Sequence, residues 1–418
     1  MNGFMNWLGT DFAPKVAKMM DKKIIRALSG ALMANVPILL IGSLVSIYNV
    51  FAGYFTVLPD LSPIYNFSFG ILSLTLAFLL GYHGAKQYGF GSYGVSTGLI
   101  SVMLFFLVMQ PEIVDFNFSV KFSRFGGTGM IASFVTGIFV IVVSNLYFKL
   151  HLFEDSDTLP DFLVRWLNQV IPGFFSLLVG HIVINIAHVN LFDLATTLFS
   201  PIIAIGQTYP GFVLLCFIPT FFYSFGINSW FMNPITSPVG QAGIAANAAA
   251  IAAGTVATNI YTPNVAFSVV FIGGMGMTLA LNIMMLRSKS TSVRRFGQIA
   301  LIPSIFNVNE PLVYGAPIAL NPILMVPMWI NAIIIPTLVY FTFNAGLITI
   351  PYQVMNVNQL PFPICSFLAT HGDARVIVLE VIIFIITWLI WLPFFKVHEA
   401  NMLKEETEEA GDAELEVA

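Results

Sequence analysis

The chain has 418 residues, of which 57% are hydrophobic and only 9% charged, and its mean hydropathy is +0.85. A soluble domain carries about 25% charge, so this composition excludes one. The net charge of −4 says little about partners, because the acids concentrate at the C-terminal end.

Residues 14–26, PKVAKMMDKKIIR, set Lys15, Lys18, Lys22 and Lys23 beside Met19, Met20, Ile24 and Ile25, which predicts an amphipathic interfacial helix. Five bases before the first apolar run place the N-terminus in the cytoplasm by the positive-inside bias. From there the chain reads as an all-α polytopic membrane protein. Candidate spans lie near 27–50, 67–87, 94–110, 128–148, 168–190, 208–226, 265–286, 322–343 and 375–395. Between Arg26 and Lys86 the only charge is Asp60, and between Arg165 and Arg287 the only one is Asp193. Simple alternation of these spans would leave Arg287, Lys289, Arg294 and Arg295 outside, so one more crossing is expected in the Ala- and Gly-rich segment 229–259, broken by Pro234 and Pro238. The expectation is about ten transmembrane helices plus broken or re-entrant pieces, with both termini cytoplasmic. After the last span, EETEEAGDAELE (405–416) packs seven acids against no base and reads as a disordered, solvated tail.

Polar residues inside the apolar region carry the chemistry, because an ionisable group at membrane depth costs roughly 2.5 kcal/mol or more. LIPSIFNVNEPLVYGAPIALN (301–321) contains Glu310 among three prolines and three asparagines, and cannot be one straight helix. It predicts a hairpin that presents Glu310, Asn307 and Asn309 to a polar cavity. YSFGINSWFMNP (223–234) offers Asn228, Ser229 and Trp230, a mixture of amide, hydroxyl and ring that suits a sugar. His83, in GYHG, is a further candidate ligand-facing residue, and Asp373 and Arg375 are expected to pair before the last span. Cys216 and Cys365 have neither CxxC spacing nor a nearby base, so no disulfide framework or metal site is expected. No GxxxxGK[ST] phosphate loop is present, and no cofactor is called for.

SIFNVNEPLVYGAPIALNP resembles the N-E-P signature of the membrane component, enzyme IIC, of bacterial sugar phosphotransferase systems of the lactose/cellobiose/diacetylchitobiose type. FMNWL, LPDFLVRWLNQVIPGFF, FGIN, GDAR and LPFFK fit that family in order along essentially the whole chain. The resemblance implies a plasma-membrane homodimer of about ten spans per subunit, with two re-entrant hairpins and amphipathic interfacial helices. It divides the chain into a cytoplasmic amphipathic helix over 1–26 and a scaffold and dimer-interface region over 27–207. A hairpin-bearing substrate region over 208–395 and a cytoplasmic tail over 396–418 complete it. It implies sugar transport coupled to phosphorylation, with phosphate from a phosphocysteine on a separate IIB protein, supplied through IIA, HPr and enzyme I. Membrane lipid is the surrounding partner, and no nucleic acid is involved. The resemblance implies a sugar-binding glutamate at Glu310 and a sugar contact around Asn228; read with the polar residues above, Glu310 is also expected to be catalytic, and Asn228, Asn307, Asn309, Trp230, Ser229 and His83 to bind the sugar. Many relatives read F-G-I-H-G where this chain has Phe225, Gly226, Ile227, Asn228 and Ser229, so a titrating histidine is unavailable there. The expected substrate is a β-linked disaccharide or β-glucoside such as cellobiose, lactose or diacetylchitobiose. A cation-coupled secondary sugar transporter is the alternative.

Overall fold

The computed structural model describes Lys18 and residues 21–417, apart from scattered positions between 36 and 57 and residues 116, 154–158, 228, 316–317, 356 and 358–359. Most of the expected interfacial helix and the second half of the first span lie outside the described residues. Among the described residues the chain is mostly helical, with one two-stranded hairpin pairing Glu112–Val114 and Asn117–Ser119 antiparallel. It forms two compact units, one from Lys18–Ala204 and Phe231–Ala245, the other chiefly from Ile205–Trp230 and Ala246–Ala418.

In the first unit, α1 (Lys23–Ala34), α2 (Leu72–Tyr88), α3 (Gly94–Met109), α4 (Met130–Phe148) and α5 (Asp161–His181) pack through large side chains such as Leu76, Leu80, Phe105 and Phe134, with glycines where backbones approach closely. A Cβ added to Gly98 would stand 2.8 Å from the Phe78 ring, and one on Gly137 would stand 2.7 Å from Leu80. Apolar solvent gives no drive for two apolar helices to meet in lipid, so close backbone approach and interhelical hydrogen bonds hold such a bundle. Both are present here. Tyr147 donates to Asn168 Oδ1 (2.8 Å), Asn168 donates to the Tyr93 hydroxyl (3.0 Å), and Thr75 donates to Asn35 Oδ1 (2.9 Å).

α6 (Leu191–Gln207) precedes α7 (Tyr209–Ser224), whose N-cap Thr208 accepts from the Gly211 N–H. The Ala-rich segment forms α8 (Asn233–Ala252), an unbroken helix. Pro234 sits in its first turn, where no backbone donor is needed, and Pro238 is carried inside it.

The second unit departs from expectation at 265–286. That stretch is not one span: a π-helical turn, Ala266–Val270, runs into a looped segment, and a helix resumes only as α9 (Leu279–Leu286). Gly273, Gly274 and Gly276 carry φ of 71°, 93° and 86°, a region glycine enters at little cost, so the loop interrupts the helix. α10 (Thr291–Ile305), α11 (Glu310–Gly315), α12 (Pro322–Asn344) and α13 (Ile364–Ala369) follow. The core of the unit gathers Leu281, Met284, Leu312, Ile318, Leu324, Met328 and Trp391, and the indole N–H of Trp391 donates to the Met277 carbonyl (3.1 Å).

The final helix, α14, runs from Arg375 to Val417, so the acidic end is helical rather than disordered. Two of its carboxylates explain part of this. Glu399 accepts from the Ser288 hydroxyl (2.6 Å) and the Lys289 N–H (2.7 Å). Glu406 accepts from the Ser290 hydroxyl (2.8 Å) and from the Thr291 and Ser292 N–H groups, capping the free donors at the start of α10.

Among the described residues, five helices are long and apolar enough to cross a membrane, including α3, α12 and α14, or six if α6 and α7 form one broken span.

Candidate functional site

The segment 301–321 folds as a helix, a turn and a short helix. α10 ends where the Val308 N–H returns to the Pro303 carbonyl (2.9 Å), and Asn307 takes a left-handed conformation with φ of 60°. Asparagine tolerates that region better than most side chains. Three residues later α11 begins, with Glu310 in its first turn beside the N–H groups of the helix start. After α11 the chain turns back, and the Leu320 N–H donates to the Ser224 carbonyl (2.9 Å) at the end of α7. Asn321 then caps α12 by accepting from the Ile323 N–H (3.0 Å).

This turn lines a cavity of about 170 Å³ together with Tyr223, Ser229, Phe267, Phe271, Gly274 and Met275. Glu310 is exposed, and among the described residues no side chain or N–H pairs with its carboxylate. The carboxylate is therefore available to a ligand.

The two asparagines are placed differently. Asn307 is half-buried; its Oδ1 accepts from the Gly273 N–H (2.8 Å) and its amide N–H contacts the Cys365 sulfur (3.7 Å). Asn309 is 3% exposed and its amide is used on both ends. It donates to the Met275 carbonyl (2.7 Å) and the Thr278 hydroxyl (2.9 Å), and its Oδ1 accepts from the Tyr223 hydroxyl (3.2 Å). Asn309 thus ties α11 to the glycine loop and to α7. The fit is close: a Cβ on Gly274 would meet the Asn309 amide within 2.8 Å. Only glycine admits this approach at φ 93°.

Glu310, Asn307, Asn309 and Ser229 therefore meet at one cavity. Asn228 lies outside the described residues, as does the side chain of Trp230. His83 lies on α2 in the other unit, edge-on to the Tyr82 ring and against Gly30, and is not among the cavity-lining residues. Asp373 and Arg375 pair as expected, at 2.6 Å. Asp373 also accepts from the Thr349 N–H (2.8 Å) and hydroxyl (2.9 Å), and the Arg375 guanidinium holds its carboxyl well below the usual carboxylate range.

Sequence reading missed the far wall of the cavity. Phe267, Phe271, Gly274 and Met275 fall within a stretch expected to be plain helix, although the cluster FIGGMGM (271–277) carried the signal. It also missed Glu380, the one charged residue between Arg375 and Lys396.

The model of the family described as "Phosphotransferase system, EIIC" matches residues 29–332. Over nearly their whole lengths, three curated bacterial proteins align with the chain. It is 26% identical to the putative permease IIC component YwbA of Bacillus subtilis, covering 99% of each. It is 27% identical to the oligo-beta-mannoside-specific EIIC component of the same organism, covering 95% of this chain and 94% of that one. It is 25% identical to the cellobiose-specific EIIC component of Geobacillus stearothermophilus, covering 97% and 96%. In fold it superposes on the transporter ChbC, the IIC component of an N,N'-diacetylchitobiose-specific phosphotransferase system, with a TM-score of 0.84 at 22% identity, covering 96% and 99%. The chain belongs to the EIIC family of the phosphotransferase system, whose members are membrane permeases.

Proposed function

We propose that this permease carries a β-linked disaccharide or β-glucoside across the plasma membrane and presents it for phosphorylation, with Glu310 as the central group of the sugar site. The observation that carries the reading is an exposed, unpartnered carboxylate in a cavity lined by amides, a hydroxyl and aromatic rings. Several relatives across its length bear the names of β-glycosides, among them lichenan, cellobiose and lactose. A carboxylate accepts strong hydrogen bonds from sugar hydroxyls, while Phe267 and Phe271 offer ring faces to the sugar's C–H face.

In the transfer step, phosphorylated IIB brings a phosphocysteine to the cytoplasmic side. The sugar hydroxyl oxygen bonds to phosphorus as the sulfur–phosphorus bond breaks, the thiolate leaves on IIB, and Glu310 takes the hydroxyl proton. The protein supplies position and a base; IIB supplies the phosphoryl group, itself recharged through IIA, HPr and enzyme I. Some relatives carry the IIB part on the same chain as an EIICB component, which supports this pairing. We read the chain as a homodimer of about ten spans per subunit with two re-entrant hairpins, one of them 301–321, and both termini cytoplasmic.

The test uses membrane vesicles containing the protein, purified phosphorylated IIB and radiolabelled cellobiose, lactose and diacetylchitobiose. The expected product is sugar phosphate, formed only with phosphorylated IIB. Accumulation of unmodified sugar without IIB, driven by an ion gradient, would overturn the reading in favour of a cation-coupled carrier.

A further inference from the structure

Thr278 precedes α9 at the position where a threonine hydroxyl normally accepts from the N–H groups of the first turn, and it caps none of them. Its side chain is turned into the glycine loop instead. At 0% exposure, the hydroxyl donates to the Gly273 carbonyl (2.7 Å) and accepts from the Asn309 amide (2.9 Å). The first bond closes the loop at its base, and the second crosses to the residue before Glu310. The other end of the loop is held from the same turn, where the Gly273 N–H donates to Asn307 Oδ1 (2.8 Å). Asn307 and Asn309, on either side of Val308, therefore clasp Gly273 and Thr278.

The polar atoms of this clasp have fixed roles. The Thr278 hydroxyl has one proton, given to Gly273, so a lone pair is what it offers Asn309. The second Asn309 N–H goes to the Met275 carbonyl, and Asn309 Oδ1 accepts from Tyr223. A reversed amide would set Oδ1 against the Met275 carbonyl, two acceptors face to face, so its orientation is determined. The cavity wall at Gly274 and Met275 and the turn bearing Glu310 are thereby joined through Thr278, which is not itself among the cavity-lining residues.

We propose that Thr278 is a positioning residue of the sugar site: its hydroxyl locks the glycine loop to the Glu310 turn and so sets where the carboxylate meets the sugar. It acts through Asn309 and touches no sugar itself. Removing the hydroxyl leaves the Gly273 carbonyl and one Asn309 N–H without these partners in a buried place. Loop and turn then sample arrangements other than the competent one, and apparent affinity falls by the fraction that stays competent.

This inference rests on the sugar-site reading of the cavity, and one set of variants separates the two. Equilibrium binding is measured on the purified full-length protein, with whichever of radiolabelled cellobiose, lactose and diacetylchitobiose the wild type binds most tightly, beside a melting curve. Thr278→Val keeps the branched shape and removes both bonds; it is expected to bind about tenfold more weakly, a competent fraction of about one tenth. Thr278→Ser keeps the hydroxyl and is expected within about twofold of wild type. In a Glu310→Gln background, Thr278→Val is expected to cost under about threefold, because the group it positions is already changed. A role confined to stability would leave the full tenfold loss in that background, and that result overturns the proposal. So does wild-type affinity in a folded Thr278→Val protein, or a Thr278→Ser protein as weak as Thr278→Val. Should Thr278→Val fail to fold, Thr278→Cys, whose thiol is a weak donor, is expected to bind about threefold more weakly than Thr278→Ser, and equal affinities overturn the proposal. Wild-type affinity in Glu310→Gln alone overturns the sugar-site reading; weakened binding there with wild-type affinity in Thr278→Val overturns this inference only.

Discussion

Replacing Glu310 with Gln isolates charge from shape. The amide fills the same space, and in the folded protein nothing among the described residues loses a partner, because none pairs with this carboxylate. The expected change in thermal stability is therefore close to zero. Binding should respond strongly. One sugar hydroxyl that donated to a carboxylate loses a charge-assisted bond of about 1.5–3 kcal/mol, a weakening of roughly ten- to a hundredfold. Turnover should fall further, by about 10²–10⁴ beyond the binding loss, because an amide cannot take the hydroxyl proton. The assays are calorimetric sugar binding on detergent-solubilised protein, phosphorylation with phosphorylated IIB at saturating sugar, and a melting curve. Wild-type turnover in a well-folded Glu310→Gln protein would refute the reasoning and leave Glu310 as a helix-start residue only.

Asn309→Ala should give the opposite signature. It strips bonds from Met275, Thr278 and Tyr223 at a site 3% exposed, so stability should drop by about 1–3 kcal/mol, read as a lower melting temperature, with sugar binding weakened as a consequence. Asp373→Asn should destabilise the protein at neutral pH. Because the wild-type carboxyl titrates below its ordinary value, its contribution is complete above about pH 4 and is lost as acid titrates below that. Melting curves of wild type and variant should therefore converge in acid. Asn228→His should shift the preference among β-disaccharides more than it shifts stability, since imidazole presents its donor and acceptor at different angles and can become cationic. Equal affinities for a panel of sugars before and after the change would remove Asn228 from the sugar-facing set.

Much of the cavity's lining was legible because its residues break local rules. Glu310, Pro303 and Pro311 conflict with a membrane helix, and the observed turn sits between the helices ending at Ile305 and beginning at Glu310. Spans such as 94–110, 128–148 and 322–343 match helices closely because a long apolar run has few other solutions. The glycine loop was not legible in the same way. Its residues are as apolar as a helix, and only the left-handed dihedrals at Gly273, Gly274 and Gly276, which periodicity does not register, betray the interruption. Asn309 illustrates a second limit. Residue type marks an amide near the site, but whether it serves a ligand or a neighbour depends on Met275, Thr278 and Tyr223, far away in sequence. The acidic end was misread for a related reason: charge density argued for solvation, while the partners of Glu399 and Glu406 lie in the connection between α9 and α10.

Those two carboxylates make α14 more than a membrane anchor. At about 1.5 Å per residue its 43 residues reach ~64 Å, roughly twice the hydrocarbon thickness of a bilayer. The excess length grips the start of α10, and the far end of α10 opens directly into the turn that carries Asn307 and Glu310. α10 thus joins the tail's carboxylates at one end to the cavity-lining turn at the other, about 22 Å away. Removing the tail ahead of Glu399 would leave the donors at the start of α10 without these carboxylates while leaving every residue of the cavity in place.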